Sequence, residues 1–122
     1  MQIQTLCALS DVPQAGGLAV DVETPDGPRP VMLFHVRDGL RAYLNVCTHM
    51  GRNLDYAPGE FLFTPRGELV CPHHGACFEL DSGRCVEGPC RGDALTAVEV
   101  EIREGKVFET GPKKLAGGQF PP

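Results

Sequence analysis

The chain has 122 residues, which is enough for one compact domain and too few for a second one of ordinary size. Hydrophobic residues make up 42% of the sequence and charged residues 22%, a balance that excludes general disorder. The net charge of −5 argues against nucleic-acid binding and permits steering toward a basic partner surface.

The 15 glycines and 11 prolines are spread along the whole chain. Turn-forming residues at such short intervals are typical of many short strands joined by turns, so we expect an all-β fold with no helix of ordinary length. Two strands are predicted near the amino terminus, at residues 3–8 and 18–23. A hairpin follows, with strands at residues 30–36 and 40–46 and a turn at Asp38-Gly39. This hairpin leads directly into Cys47.

Short strands are predicted next at residues 68–71 and 77–80. A last hairpin begins where Val98, Val100 and Ile102 alternate with polar residues, which predicts one buried and one exposed face. It turns at Glu104-Gly105 into a strand at residues 106–109. Residues 111–122 have the composition of an extended arm or a frayed tail.

The six cysteines bear on the cellular compartment as well as on the chemistry. The first twenty residues lack a basic start followed by an apolar run, and no window approaches the roughly 18 consecutive apolar residues that a membrane span requires. We therefore expect a cytoplasmic protein with no membrane partner. In that setting cysteines are metal ligands or free thiols more often than parts of a disulfide framework.

Most cysteines and histidines fall between Cys47 and Cys90. Cys47 and His49 stand two residues apart, and Cys71 is followed by histidines at positions 73 and 74. Each group offers a thiolate and an imidazole from a single turn-rich loop. Because residues 50–70 separate them, the two loops can face each other and close on a shared metal centre.

This arrangement resembles the Rieske family, whose pattern is C-x-H followed after a gap by C-P-x-H-G. Residues 47–51 read C-T-H-M-G and residues 71–75 read C-P-H-H-G, so all four ligand positions match. A Gly88-Pro89 pair resembles the family's proline loop. The resemblance implies one 2Fe-2S cluster per chain, with Cys47 and Cys71 on the inner iron and His49 and His74 on the outer one.

The fold implied by the resemblance is an antiparallel β-sandwich base domain with a small inserted part that binds the cluster. We expect the base at residues 1–44 and 90–122 and the inserted part at residues 45–89.

The ligand set of the family affects the reduction potential of the cluster. Exchanging two thiolates for neutral imidazoles removes negative charge and raises the reduction potential. Residues 74–78, H-G-A-C-F, lack the serine and tyrosine hydroxyls of the family's high-potential branch, and Arg52 and His73 stand where that branch has a cysteine pair. The resemblance is therefore to low-potential Rieske ferredoxins.

The function implied is that of an electron-transfer protein, not an enzyme, which passes single electrons from a reductase to an oxygenase or a similar enzyme. Two alternatives stay open. One is a zinc-binding structural module, because two cysteines and two histidines also suit tetrahedral zinc. The other is the small Rieske-like subunit of a reductase such as nitrite reductase.

The remaining cysteines and histidines are not expected to be ligands. Cys7, Cys77, Cys85 and Cys90 are expected to be ordinary buried side chains, because free cysteine is often buried and inert. His35 is expected to be structural because it lies in a predicted strand far from both loops. The C-x-x-H register favours His74 as the ligand, so His73 is expected to lie beside the cluster ligands or at the surface.

Overall fold

The protein is described here by a computed structural model that covers residues 4–37, 39–47, 53–73, 75–88 and 92–110. The described ranges contain antiparallel strands and a single 3₁₀ turn, with no α-helix, which confirms the all-β prediction. No helix in those ranges is long and apolar enough to cross a membrane. The strands are β1 (Gln4–Ala8), β2 (Leu18–Thr24), β3 (Gly27–Val36), β4 (Gly39–Leu44), β5 (Leu62–Phe63), β6 (Leu69–Val70), β7 (Cys77–Phe78), β8 (Cys85–Glu87), β9 (Val100–Arg103) and β10 (Lys106–Glu109), and the turn is Leu9–Asp11.

A central sheet of β2, β3 and β4 is buried on both faces. Successive strand side chains point to opposite faces, and β3 carries four fully buried residues in a row at positions 31–34. Val31 and Leu33 face one apolar core, whereas Met32 and Phe34 face another. The central sheet is therefore the middle layer of three.

The core on one side of this sheet, the terminal-side core, is closed by the sheet of β1, β10 and β9. Its buried members are Cys7, Val12, Val22, Val31, Leu33, Leu40, Ala42, Val98 and Val107. Arg29 on β3 and Glu109 on β10 form an ion pair across these two sheets, with Arg29 Nη2 2.5 and 2.6 Å from the two carboxylate oxygens. Only 14% of the Glu109 side chain is exposed, so this pair is screened far less than a surface pair.

The core on the other side, the loop-side core, is covered by the sheet of β5, β6, β7 and β8 and by the loops around it. Its buried members are Met32, Phe34, Tyr43, Cys47, Leu54, Leu69, Cys71, Ala76, Phe78, Cys85 and Leu95. The Phe34 ring packs edge-on against Phe61, with ring centroids 5.1 Å apart, and the Tyr43 hydroxyl donates a 2.6 Å hydrogen bond to Leu80 O. Burial raises the pKa of Tyr43 to about 12. These contacts fix the small sheet to the central one.

Both hairpins predicted from the sequence are present. Val36 pairs with Gly39 in the first, and Arg103 pairs with Lys106 in the second. In the second turn Glu104 and Gly105 both have positive φ, 49° and 78°, as a two-residue type I′ turn requires. Asp38 lies outside the described residues.

The strands differ from the predictions in several places. Ile102 is 45% exposed, although the alternation placed it on a buried face, because it lies on edge strand β9 just before the turn. Strands β5 and β8 were not predicted, since two or three residues carry no readable periodicity. The division into a base and an inserted part stays a prediction.

Candidate metal centre

Two of the four predicted ligands, Cys47 and Cys71, are buried together in the loop-side core. Each is 1% exposed. Cys47 follows β4 by three residues, and Cys71 directly follows β6, so each thiol stands where a strand of a different sheet ends. His49 and His74 lie outside the described residues, and within those residues no group of three or more metal-binding side chains occurs.

Residues 71–76, here called the second loop, form a tight connection between β6 and β7. Cys71 N donates a 2.7 Å hydrogen bond to Ala76 O, and Gly75 N donates a 2.9 Å bond to Cys71 O. Gly75 has φ of +76°, a left-handed conformation that glycine adopts without strain. Cys71 is therefore held by its own backbone.

Exposure along the second loop changes sharply from one residue to the next. Cys71 and Ala76, at its ends, are buried, whereas His73 and Gly75, on either side of His74, are exposed. The loop thus directs its thiol inward and its tip toward solvent. Of the two places expected for His73, beside the ligands or at the surface, its exposure agrees with the second.

Gly88 lies directly against the second loop. A β-carbon at this position would stand 2.6 Å from Ala76 Cα, which is closer than real side chains approach, and Gly88 also has φ of +102°. Glycine is therefore required here for two reasons, the backbone conformation and the close approach. Pro89, the second half of the predicted proline loop, lies outside the described residues.

The two ends of residues 45–55, here called the first loop, are joined by the side chain of Asn45, which the sequence analysis did not single out. Asn45 is 2% exposed and is the one buried polar side chain among the described residues. Its Oδ1 accepts a 2.7 Å hydrogen bond from Leu54 N, and its Nδ2 donates a 3.0 Å bond to Asp55 Oδ1. An asparagine between an apolar strand and a predicted ligand was the available signal, because a polar residue buried there must find partners.

The other cysteines behave as expected where the structure describes them. Cys7 belongs to the terminal-side core, and burial, followed by the nearby Asp11 carboxylate, raises its thiol pKa. Burial and then the carboxylates of Glu87 and Glu68 raise the thiol pKa of Cys77, and its Sγ donates to Gly75 O at 3.5 Å. A raised pKa keeps a thiol protonated and unreactive at neutral pH. Cys85 is buried, and Cys90 lies outside the described residues.

His35 also has a structural environment. Its Nε2 lies 3.2 Å from Val12 O and 3.5 Å from Gln14 Nε2, which ties β3 to the segment after the 3₁₀ turn.

The chemistry of the donor set fits an iron-sulfur cluster. Such clusters are held by thiolate ligands, and two buried cysteines that follow strands of different sheets provide two of them. The surrounding side chains of the loop-side core include Leu54, Leu69 and Phe78, which are apolar and fully buried. A dry apolar surround is one of the factors that set the potential of a bound cluster.

Comparison with known proteins agrees with this chemistry. The family model of the Rieske [2Fe-2S] domain matches residues 2–107. The chain is 33% identical over 89 residues to ferredoxin CarAc of Metapseudomonas resinovorans, covering 72% of this chain and 77% of that protein.

Solved structures share the fold. A chain in the complex of reduced oxygenase and oxidized ferredoxin of carbazole 1,9a-dioxygenase is 28% identical, with a TM-score of 0.66 over 88% of this chain and 91% of that one. The terminal oxygenase of carbazole 1,9a-dioxygenase from Novosphingobium sp. KA1 has a TM-score of 0.74 at 22% identity, over 88% of this chain, which spans only 29% of that oxygenase chain. The putative NADH-dependent nitrite reductase small subunit from Mycobacterium tuberculosis has a TM-score of 0.63 at 24% identity, over 88% of this chain and 93% of that one.

Proposed function

This chain belongs to the Rieske [2Fe-2S] domain family, and from that premise we propose that it is a one-electron carrier of the ferredoxin type. The observation that carries the proposal is the burial of Cys47 and Cys71 in one core at the ends of two loops. When bound, a 2Fe-2S cluster supplies the reversible one-electron chemistry. The chain's own residues then bind the cluster, keep water away from it and set its potential.

We assign the ligand roles as the motif indicates. Cys47 and Cys71 would hold the buried side of the cluster, and His49 and His74 the side nearer the surface. The exposure of His73 and Gly75 on either side of His74 supports this direction. An exposed imidazole edge would give electrons a short route to a docked partner.

The partners that we propose are a reductase as electron donor and an oxygenase as acceptor. The support is the identity to ferredoxin CarAc and the similarity to a chain in an oxygenase-ferredoxin complex. We also place the protein in the cytoplasm, where thiols such as those of Cys7 and Cys77, which form no disulfide, stay reduced.

A second candidate is the small subunit of a nitrite reductase, because one such putative subunit shares the fold. The four ligand positions at residues 47, 49, 71 and 74 favour a working cluster and therefore the carrier. Reduced protein that passes electrons to an oxygenase, but not to a nitrite reductase large subunit, would decide for the carrier.

The proposal predicts the metal content of the purified protein. We expect about two irons and two acid-labile sulfides per chain, a red-brown colour and reversible one-electron reduction. Iron and sulfide assays combined with a dye-linked redox titration measure these quantities. A single zinc per chain without sulfide would replace this proposal with the zinc-binding module.

The reduction potential is a second expected outcome. Without hydroxyl donors at Ala76 and Phe78 we expect it toward the low end of the family range, which is roughly −150 to +300 mV. Ala76→Ser and Phe78→Tyr should each raise it, because a hydrogen bond to cluster sulfur stabilises the reduced state, which carries the extra negative charge. Protein-film voltammetry on the wild type and both variants measures the shift.

A matched control for these two variants is Cys77→Ser. The thiol of Cys77 already points to Gly75 O, so a hydroxyl at this position has an acceptor other than the cluster, and the potential should not move. A wild-type potential near the upper end of the range would contradict the low-potential prediction. Folded variants at Ala76 and Phe78 with the wild-type potential would show that another factor, such as burial or backbone amides, controls it.

A further inference from the structure

The two ends of the first loop are joined by side-chain hydrogen bonds of Asn45, in addition to the backbone pairing of β3 with β4. Asn45 N continues the β3–β4 pairing by one residue, donating a 3.0 Å hydrogen bond to Pro30 O. The Asn45 amide then binds both Leu54 N and Asp55, nine and ten residues further along the chain. Cys47 stands two residues beyond Asn45, so the segment that carries this ligand starts at the residue that joins the two ends of the loop.

The network continues through Asp55. Its Oδ2 accepts a 3.1 Å hydrogen bond from Gly59 N, while Oδ1 accepts from the Asn45 amide. The turn that contains Gly59 is itself closed by two backbone bonds, from Tyr56 N to Glu60 O at 2.9 Å and from Glu60 N to Ala57 O at 2.8 Å. The Asn45 side chain therefore connects the end of β4 to a closed turn on the far side of the loop.

Because Asn45 and Leu54 are both buried, water cannot readily replace the hydrogen bond between them. Leu54 is fully buried, and its N–H bonds to Asn45 Oδ1. Removal of the amide would leave that N–H without this partner in an apolar core, and the chain would have to rearrange to satisfy it. Leu54 and Cys47 belong to the same core, so a rearrangement at Leu54 reaches the surroundings of the thiol.

We propose that Asn45 is a positioning residue for the metal centre, which acts through Asp55 and Leu54 to fix the segment that presents Cys47. Within the described part of the chain, its side chain bonds to Leu54 and Asp55 and not to a ligand cysteine. This inference rests on the proposed function, because it concerns how tightly the chain retains its cluster. Loss of hydrogen bonds that orient ligands typically lowers metal affinity by about tenfold to a hundredfold.

The first test compares Asn45→Ala with Val107→Ala. Val107 is fully buried in the terminal-side core, so its truncation destabilises the domain from the side opposite the metal centre. The rate of iron loss is measured for the wild type and both variants as holoproteins, with a ferrous iron chelator present. Each protein is held at a temperature equally far below its own unfolding midpoint. We expect Asn45→Ala to lose iron about tenfold faster than the wild type, and Val107→Ala to keep the wild-type rate. Equal rates in the two variants would reduce Asn45 to a residue of general stability and overturn the proposal.

A second test exchanges the two side chains and does not depend on the alanine variant folding. Asn45→Asp places a carboxylate against Asp55 and removes the donor, so iron loss should accelerate. Adding Asp55→Asn restores a donor, because the new amide can donate to the carboxylate at position 45 and accept from Gly59 N. The double variant should retain iron longer than Asn45→Asp alone, and its reduction potential should return toward the wild-type value. A double variant no better than the single one would contradict the proposal.

The proposed function and the role of Asn45 can be disproved separately. A wild-type protein that holds no iron and sulfide ends the proposed function. A wild-type protein with its full cluster, beside Asn45 variants that lose iron at the wild-type rate, ends only the role of Asn45.

Discussion

Replacement of either buried ligand cysteine by serine, Cys47→Ser or Cys71→Ser, is expected to abolish the iron-sulfur cluster completely. The thiolate is the form of cysteine that binds metal, and a serine hydroxyl does not ionise near neutral pH. Both thiols are 1% exposed, so no other side chain can approach from solvent to take their place. Iron and sulfide content, together with the visible spectrum, measures the loss.

The control for this prediction is the same substitution at other cysteines. Cys7→Ser changes a buried thiol of the terminal-side core, and Cys77→Ser changes the thiol bonded to Gly75 O, so both should leave the cluster in place. Cys90→Ser is expected to do the same, a prediction from the sequence alone. Loss of the spectrum in every variant would show that cysteine substitution disturbs folding and says nothing about ligation.

Gly88→Ala is expected to have the next largest effect, through backbone strain and a steric clash. A positive φ at a non-glycine residue costs about 1–3 kcal/mol, and an added β-carbon would also overlap Ala76 Cα. Relief of the clash has to move backbone, either at position 88 or in the second loop, because the two nearest obstructing atoms, Ala76 Cα and Ala76 N, are backbone atoms. The variant should therefore lose stability and release its cluster faster, as measured by denaturant unfolding and by iron release.

Gly92→Ala separates the two causes. Gly92 has nearly the same φ, +98°, but a β-carbon there would meet nothing within 4 Å. This variant should show the cost of strain alone and keep the wild-type rate of iron release. Identical behaviour of the two variants would mean that the contact between Gly88 and Ala76 has no part in holding the second loop.

Local sequence patterns were enough for the framework of the fold. Turn residues at Glu104-Gly105 and the apolar run at residues 31–34 determine their hairpins through short-range chemistry, and both are found. Strand β3 begins earlier than predicted, at Gly27, and so includes Pro28 as well as Pro30, although proline is uncommon inside a sheet. The pairing with β4 starts only at Val31, so neither proline has to donate a hydrogen bond on that side.

The centre itself was predictable only in part. Cysteine and histidine spacing identified the ligand positions, because metal chemistry restricts the residue types and their order. The residues that support the loops were not visible in the sequence. The contact between Gly88 and Ala76 and the bond from Asn45 to Asp55 depend on how separate segments meet, which no local periodicity encodes.

The pairing of β1 with β10 has a consequence for the protein's evolutionary reuse. Gln4 lies opposite Glu109 in this ladder, so the first and the last strands that the structure describes lie side by side. A unit with adjacent entry and exit can be spliced into a longer chain without stretching its linkers or rebuilding its interior. The same architecture accordingly serves as nearly the whole of one ferredoxin-sized chain and as under a third of a terminal oxygenase. Insertion of such a module into another fold would therefore need two chain junctions that lie close together in space.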